Sequence, residues 1–273
     1  MARDPFVTTF LQTSTGAGAS DNVTAPGLSL DGRRTGTLTG GLAFVRLGLG
    51  YQQNLFGRSS LGLALGGSAR SGTDEESVLS TGLSAVYGLD LVGKVRVFQG
   101  ERVLVSALLQ YSATSLYGID LYKFAESVVE NGLRGNNSAL VEGSSGKFVG
   151  GGGVAYSPAS WAGLTFVGSA GSSGTYDGGG SDFAYGLYGS GEVDFHEVSK
   201  VPLGILLYYS LDSLPIARTN SEEGISTFGF ALAYTGRRDF SVSLDASTTS
   251  FSSASNTFSF DAEQILLNLQ YFF

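Results

Sequence analysis

The chain has 273 residues, 15% of them charged, with 41 glycines, 5 prolines, no cysteine and a formal net charge of −8. Its mean hydropathy of +0.13 comes without any apolar run of about 18 residues, which excludes a transmembrane helix. The missing cysteines exclude disulfides and thiolate chemistry, and an acidic balance without clustered Lys/Arg excludes a nucleic-acid partner. High glycine with little proline opposes helix-rich, collagen-like and disordered chains, leaving a soluble all-β protein or a membrane barrel.

The start, "MARDPFV", lacks a basic segment followed by an apolar core, so it is no signal peptide. The expectation is a mature domain whose native precursor carries one. "PFVTTFLQ" (5–12) is the weakest strand candidate, because its apolar residues do not alternate cleanly. The Gly/Ser-rich stretch after it reads as a loop.

From Leu38 onward the period is two, the mark of strands with one apolar face. Ala43, Val45, Leu47, Leu49 and Tyr51 oppose Arg46, Gly48 and Gly50. Leu61, Leu63 and Leu65 oppose Gly62, Ala64, Gly66 and Ser68. Between Val78 and Phe98, Leu83, Ala85, Tyr87, Leu89, Leu91, Val95 and Val97 oppose Asp90, Lys94 and Arg96. Val103, Val105, Ala107, Leu109 and Tyr111 oppose Ser106, Gln110 and Ser112.

The second half repeats the pattern. Phe148, Val154 and Tyr156 oppose Gly151 and Gly153, and Leu164 and Phe166 oppose Thr165 and Ser169. Phe183, Tyr185, Leu187, Val193 and Phe195 oppose Tyr188, Ser190, Glu192, Asp194 and His196. Val201, Leu203, Ile205, Leu207 and Tyr209 oppose Gly204, Tyr208 and Ser210. Phe228, Phe230, Leu232 and Tyr234 oppose Gly229, Ala231 and Ala233, while Phe240, Val242, Leu244 and Ala246 oppose Ser241, Ser243, Asp245 and Ser247. The final strand sets Ile265, Leu267, Leu269, Tyr271 and Phe273 against Gln264, Asn268 and Gln270.

Tight turns ("FQGER", "SPASW", "VSKVP", "GRRD") alternate with longer polar connections. The longest, about 112–147, holds apolar residues at helical spacing (Leu121, Phe124, Ala125, Val128, Val129) with Gly135 as a stop. That segment either caps the mouth or folds inward as a constriction. With the first strand included, roughly twelve strands result, one trimmed end and one loopy end, as in an up-and-down barrel.

The polar face decides between a soluble and a membrane barrel. It carries Gly, Ser, Ala and Thr with few Lys or Glu, whereas a soluble surface is about a quarter to a third charged. Small neutral residues suit a lumen. Aromatics gather beside the short turns (Tyr51, Phe56, Phe98, Trp161, Phe195, Tyr234, Phe240 and Tyr271 to Phe273), where amphipathic rings form a girdle at the headgroups.

In these features the chain resembles Gram-negative outer-membrane β-barrel proteins of porin and channel type. The resemblance covers nearly the whole chain at the level of pattern and names no subfamily. It implies a single all-β domain, a transmembrane antiparallel up-and-down barrel with short periplasmic turns and long extracellular loops. Ile265, Leu267, Leu269, Tyr271 and Phe273 match the terminal signal by which the barrel-insertion machinery recognises such proteins. Other implied partners are outer-membrane lipid, lipopolysaccharide and a small hydrophilic solute, with no cofactor.

The expected function is a passive channel in the outer membrane, not an enzyme. Its lumen lining would include Arg46, Asp90, Lys94, Arg96, Glu192, Asp194, His196 and Asp245. The cations lie on early strands and Glu192, Asp194 and His196 on a later one, roughly across the barrel. Two readings are open: a constriction with a transverse field, or direct pairing that closes the lumen. A structural, adhesive or export-anchor barrel is the alternative function. A hydrolase would have to use His196, the one histidine, and a paired lumen histidine is the plainer account of it. Gly-rich "GTYDGGGSD" and "VGGGGVAYS" lack a P-loop ending, and Asp74, Glu75 and Glu76 read as a solvated acidic loop.

Overall fold

Alternating apolar and small polar residues leave the backbone one way to satisfy its hydrogen bonds in lipid without a helix, which is a sheet with no edge. The computed structural model has that form, and it describes residues 6–26, 29–30, 33–34, 37–73, 83–119, 140–174, 181–213, 224–252 and 259–273. The wall consists of β1 (Phe10–Pro26), β2 (Thr37–Leu55), β3 (Ser59–Gly72), β4 (Leu83–Gln99), β5 (Val103–Ile119) and β6 (Leu140–Ala159). It continues through β7 (Ala162–Gly174), β8 (Ser181–Asp194), β9 (Leu203–Ser213), β10 (Gly224–Tyr234), β11 (Phe240–Ser252) and β12 (Ser259–Phe272). Each strand pairs antiparallel with its neighbour in the chain, and β1 pairs with β12 to close the barrel. The closing register sets Phe10 beside Phe272, Thr13 beside Leu269 and Ala17 beside Ile265.

Burial runs opposite to that of a soluble protein. Leu47 is 65% exposed and Phe166 60%, while Gln52 and Ser60 are each 3% exposed. The outward rows of Leu, Val and Phe are the lipid-facing surface, and the inward side chains are mostly Gly, Ser and Thr. At the short-turn end, Phe56, Phe98, Trp161, Tyr234, Tyr271 and Phe273 all stand exposed on the rim. The expected girdle is therefore present in the fold.

Three sequence expectations change. The first strand is not residues 5–12: pairing begins at Phe10 and runs to Pro26, through the stretch read as a loop. Its outward residues include Thr13 and Thr15, with no apolar row to announce it. Together with Leu47, Leu49, Leu267 and Leu269 they line a shallow outer groove of about 440 Å³. Second, the long connection is shorter than 112–147, since β5 pairs with β6 from Ser112↔Lys147 out to Ile119↔Leu140. The helix expected within it and the acidic Asp74–Glu76 lie outside the described residues. Third, β8 stops at Asp194. Its carboxylate caps the one-turn helix α1 (Phe195–Ser199) by accepting from the His196 N–H at 3.0 Å, so His196 is helical and not a strand residue.

Four glycines mark where the wall bends. A Cβ on Gly16 or Gly18 would run into the backbone carbonyl of Ile265 or Glu263 across the β1–β12 seam. A Cβ on Gly151 or Gly171 would meet the carbonyl of Gly168 or Phe148 across the β6–β7 seam. Six strands separate the two seams on either side. The barrel is thus creased along two opposite lines into two six-stranded walls, β1–β6 and β7–β12, and at these four positions only glycine fits.

Candidate functional site: the barrel lumen

The first wall carries an inserted segment. Phe6 and Val7 precede β1 and are buried, 4% and 1% exposed. The Ser60 hydroxyl donates to the Phe6 carbonyl at 2.7 Å, and the Gln52 amide donates to the Thr8 carbonyl at 2.7 Å. The Asn54 N–H adds a bond to the Thr9 hydroxyl at 2.9 Å. From these anchors on β2 and β3 the Phe6 ring reaches Gly153 on β6, where an added Cβ would lie 2.9 Å from the ring. The segment Phe6–Thr9 therefore lies inside the barrel along the first wall, at the short-turn end.

The second wall carries an aromatic and carboxylate cluster. Tyr188 on β8 and Tyr208 on β9 are stacked, with ring centroids 6.3 Å apart at 27°. Tyr208 lies flat across Gly229 on β10, and its hydroxyl donates to Asp245 on β11 at 2.9 Å. Asp245 is 8% exposed. With Gln12, Asn268 and Gln270 these side chains line a lumen cavity of about 330 Å³.

Nearer the loopy end, Lys147 on β6 meets Asp212 on β9 at 3.6 Å, across the β6–β7 crease. Lys147 also donates to the Tyr185 carbonyl at 3.2 Å. The Arg70 guanidinium donates to the Ser84 hydroxyl at 2.6 Å. The ion pairs among the described residues are Lys147–Asp212 and Arg237–Asp239, the latter in the exposed turn before β11. There the Asp239 carboxylate, hydrogen-bonded to Arg237, holds that guanidinium above its ordinary range.

The expected lumen residues fall out as follows. Arg46 stands on the inward parity of β2, between Gly16 and Ser68. Asp90 accepts from Gln110 at 3.4 Å. Lys94 donates to Gln52 at 3.1 Å and Arg96 to Gln99 at 2.6 Å, on their own side of the barrel. Glu192 lies over Gly163, and Asp194 accepts from the Thr235 hydroxyl at 2.7 Å besides capping α1. His196 sits in that turn with Nδ1 buried and unbonded. Asp245 is the one member of the set that the fold joins to an aromatic cluster. Among the described residues no three His, Cys, Asp or Glu come together as a metal site. On the terminal strand, Ile265, Leu267, Leu269, Tyr271 and Phe273 all face outward and exposed.

Sequence parity placed Tyr188 and Tyr208 inward, but two tyrosines in a polar row were not a signal of a cluster. Lys147 closes the connection expected over 112–147, and Phe6 falls in the strand candidate 5–12.

No protein-family model and no curated protein matches the sequence. Solved structures do match over nearly the whole chain. An outer membrane channel from Pseudomonas putida F1 is 13% identical with a TM-score of 0.53, covering 100% of both chains. The translocator domain of autotransporter NalP from Neisseria meningitidis is 7% identical with a TM-score of 0.55, covering 99% of this chain and 90% of that one. The NanC porin is 7% identical with a TM-score of 0.50, covering 96% and 99%. At such identities the likeness is one of fold. Closed wall, outward apolar belt and polar interior together define a transmembrane β-barrel of the outer-membrane class. Within that class the chain is a closed barrel of twelve antiparallel strands, with the short turns gathered at one end.

Proposed function

We propose that the protein is a passive outer-membrane channel for small hydrophilic solutes, entered from the loopy end and narrowed at the periplasmic end by its own N-terminal segment. The observation that carries this reading is the division of labour between the walls. Phe6 and Val7 occupy the first wall, whereas the second keeps a cavity of about 330 Å³ facing the lumen, where Asp245, Asn268 and Gln270 stand among apolar neighbours such as Leu206 and Leu266. A barrel of about twelve strands is too wide for glycine and serine to fill, so water fills what the segment leaves. Arg46, Asp90, Lys94, Arg96, Glu192, Asp194 and Asp245 then set solute preference through their field. The likeness in fold to an outer membrane channel and a porin supports the reading. His196 gives no support to a hydrolase, because Asp194 bonds its backbone N–H and not its ring, whose Nδ1 is buried and unbonded.

Purified protein in planar bilayers tests the proposal: discrete conductance steps are expected, and a well-folded preparation that never conducts would reject it. One observation favours a second reading, a closed barrel serving as an anchor. The buried Phe6–Val7 segment is pinned by Gln52 and Ser60. The same recording separates the two.

A further inference from the structure

The second wall has the chemistry of a sugar site. A pyranose ring offers an apolar face of C–H bonds and a rim of hydroxyls. It is held where an aromatic platform lies beside paired hydrogen-bonding groups. Tyr188 and Tyr208 supply such a platform, stacked and fixed, because Tyr208 is pressed over Gly229 and tied to Asp245. Around it stand Gln12, Asn268 and Gln270, each carrying both a donor and an acceptor, as vicinal hydroxyls require. The cavity of about 330 Å³ is the volume of a small ligand site.

Charge narrows the choice. Among the described residues, the lining holds one ionisable group besides the tyrosines, the acidic Asp245, and no Lys or Arg. An anionic solute meets repulsion there, and a purely apolar one strands the amides and the carboxylate without partners. We propose that this wall is a binding site for an uncharged sugar ring. The ring stacks on Tyr188 and Tyr208, and its hydroxyls bond to Asp245, Asn268, Gln270 and Gln12. The inference rests on one part of the channel reading, the water-filled lumen through which a solute reaches this wall, and not on conduction. The site deepens that reading from size and polarity to a substrate class.

Titration calorimetry on the whole barrel in detergent tests it, with glucose, maltose, glucuronate and phenol as probes and each variant's fold checked by its heat-modifiable gel shift. Maltose or glucose is expected to bind, and glucuronate and phenol to bind at least about tenfold more weakly. Tyr188→Ala and Asn268→Ala are each expected to weaken the sugar by about tenfold, the loss of one stacking or hydrogen-bonding partner. If Tyr188→Ala fails to fold, Asn268→Ala still reads the site, because it removes only an amide. The proposal is overturned if neither sugar binds, if glucuronate or phenol binds better, or if both folded variants bind as the parent does. Binding needs no ion current, so sugar that binds to a non-conducting barrel sinks the channel reading and leaves the site standing.

Discussion

The Tyr208 hydroxyl reaches past a whole strand to bond Asp245, and it does so by lying on Gly229. Sheet neighbours ordinarily interact with the strand beside them. Here β9 and β11 are joined over the top of β10, so the ring's position depends on a missing Cβ. Gly229→Ala puts a methyl where the ring now rests. The expected cost is about 1–3 kcal/mol, typical of overpacking, with Asp245 left without its donor. Gly66→Ala is the control, because its nearest neighbour would be a carbonyl oxygen at 3.9 Å. Urea unfolding in lipid vesicles should separate the two variants, and equal midpoints would show that the ring is not seated on Gly229.

The inserted N-terminal segment makes a prediction about current. Removing residues 1–7 deletes Phe6 and Val7 from the lumen and leaves Thr9 to accept the Phe273 N–H at the closing seam. Conductance in planar bilayers should rise by roughly twofold or more, as expected when a constriction is taken out of a pore. Gln52→Ala together with Ser60→Ala should give flickering between the two levels, since the segment then loses two anchors. An unchanged conductance after truncation would place the narrow point elsewhere.

Leu267 and Asn268 are successive residues of β12 that face lipid and lumen respectively. Leu267→Arg should destabilise the folded barrel by about 2–4 kcal/mol, the cost of a cation on the lipid face near mid-bilayer. Asn268→Arg should cost little stability and instead move ion selectivity toward anions. Paired unfolding curves and reversal potentials check this, and a reversed order would invert the assignment of faces.

Lys147 spans the β6–β7 crease to Asp212 at 3.6 Å. Lys147→Met leaves Asp212 as an unneutralised acid in the lumen. The reversal potential under a salt gradient should shift toward cation preference. A double-mutant cycle with Asp212→Asn should give a coupling of about 1 kcal/mol or less, because Asp212 remains half exposed.

How much of this was legible in the sequence depends on which solvent a residue answers to. Leu203, Ile205, Leu207 and Tyr209 read cleanly because lipid demands an unbroken apolar row on one side of a strand. β1 did not, because Thr13 and Thr15 and small residues after them face outward, and the strand is held by backbone pairing to β2 and β12 rather than by apolar side chains. Phe6 and Val7 are apolar in a region read as strand, yet they leave lipid for the lumen, where Gln52 and Ser60 donate to the carbonyls of Phe6 and Thr8. Alternation also carried past Asp194 into His196, since parity does not register a carboxylate that caps a helix. The tyrosine cluster was invisible for a different reason. It needs four strands brought side by side, β8 to β11, and local pattern says which face a residue takes but not which residues meet there.

The two glycine seams assign the bore to the main chain rather than to its lining. Where Gly16, Gly18, Gly151 and Gly171 sit, the neighbouring carbonyl fixes how sharply the wall can fold. Inward side chains such as Ser210 and Ser243 stand on strands between those seams. They can be exchanged without re-curving the sheet. The barrel therefore behaves as a fixed frame with a replaceable lining, the property wanted in a protein nanopore whose inner chemistry is to be redesigned one residue at a time.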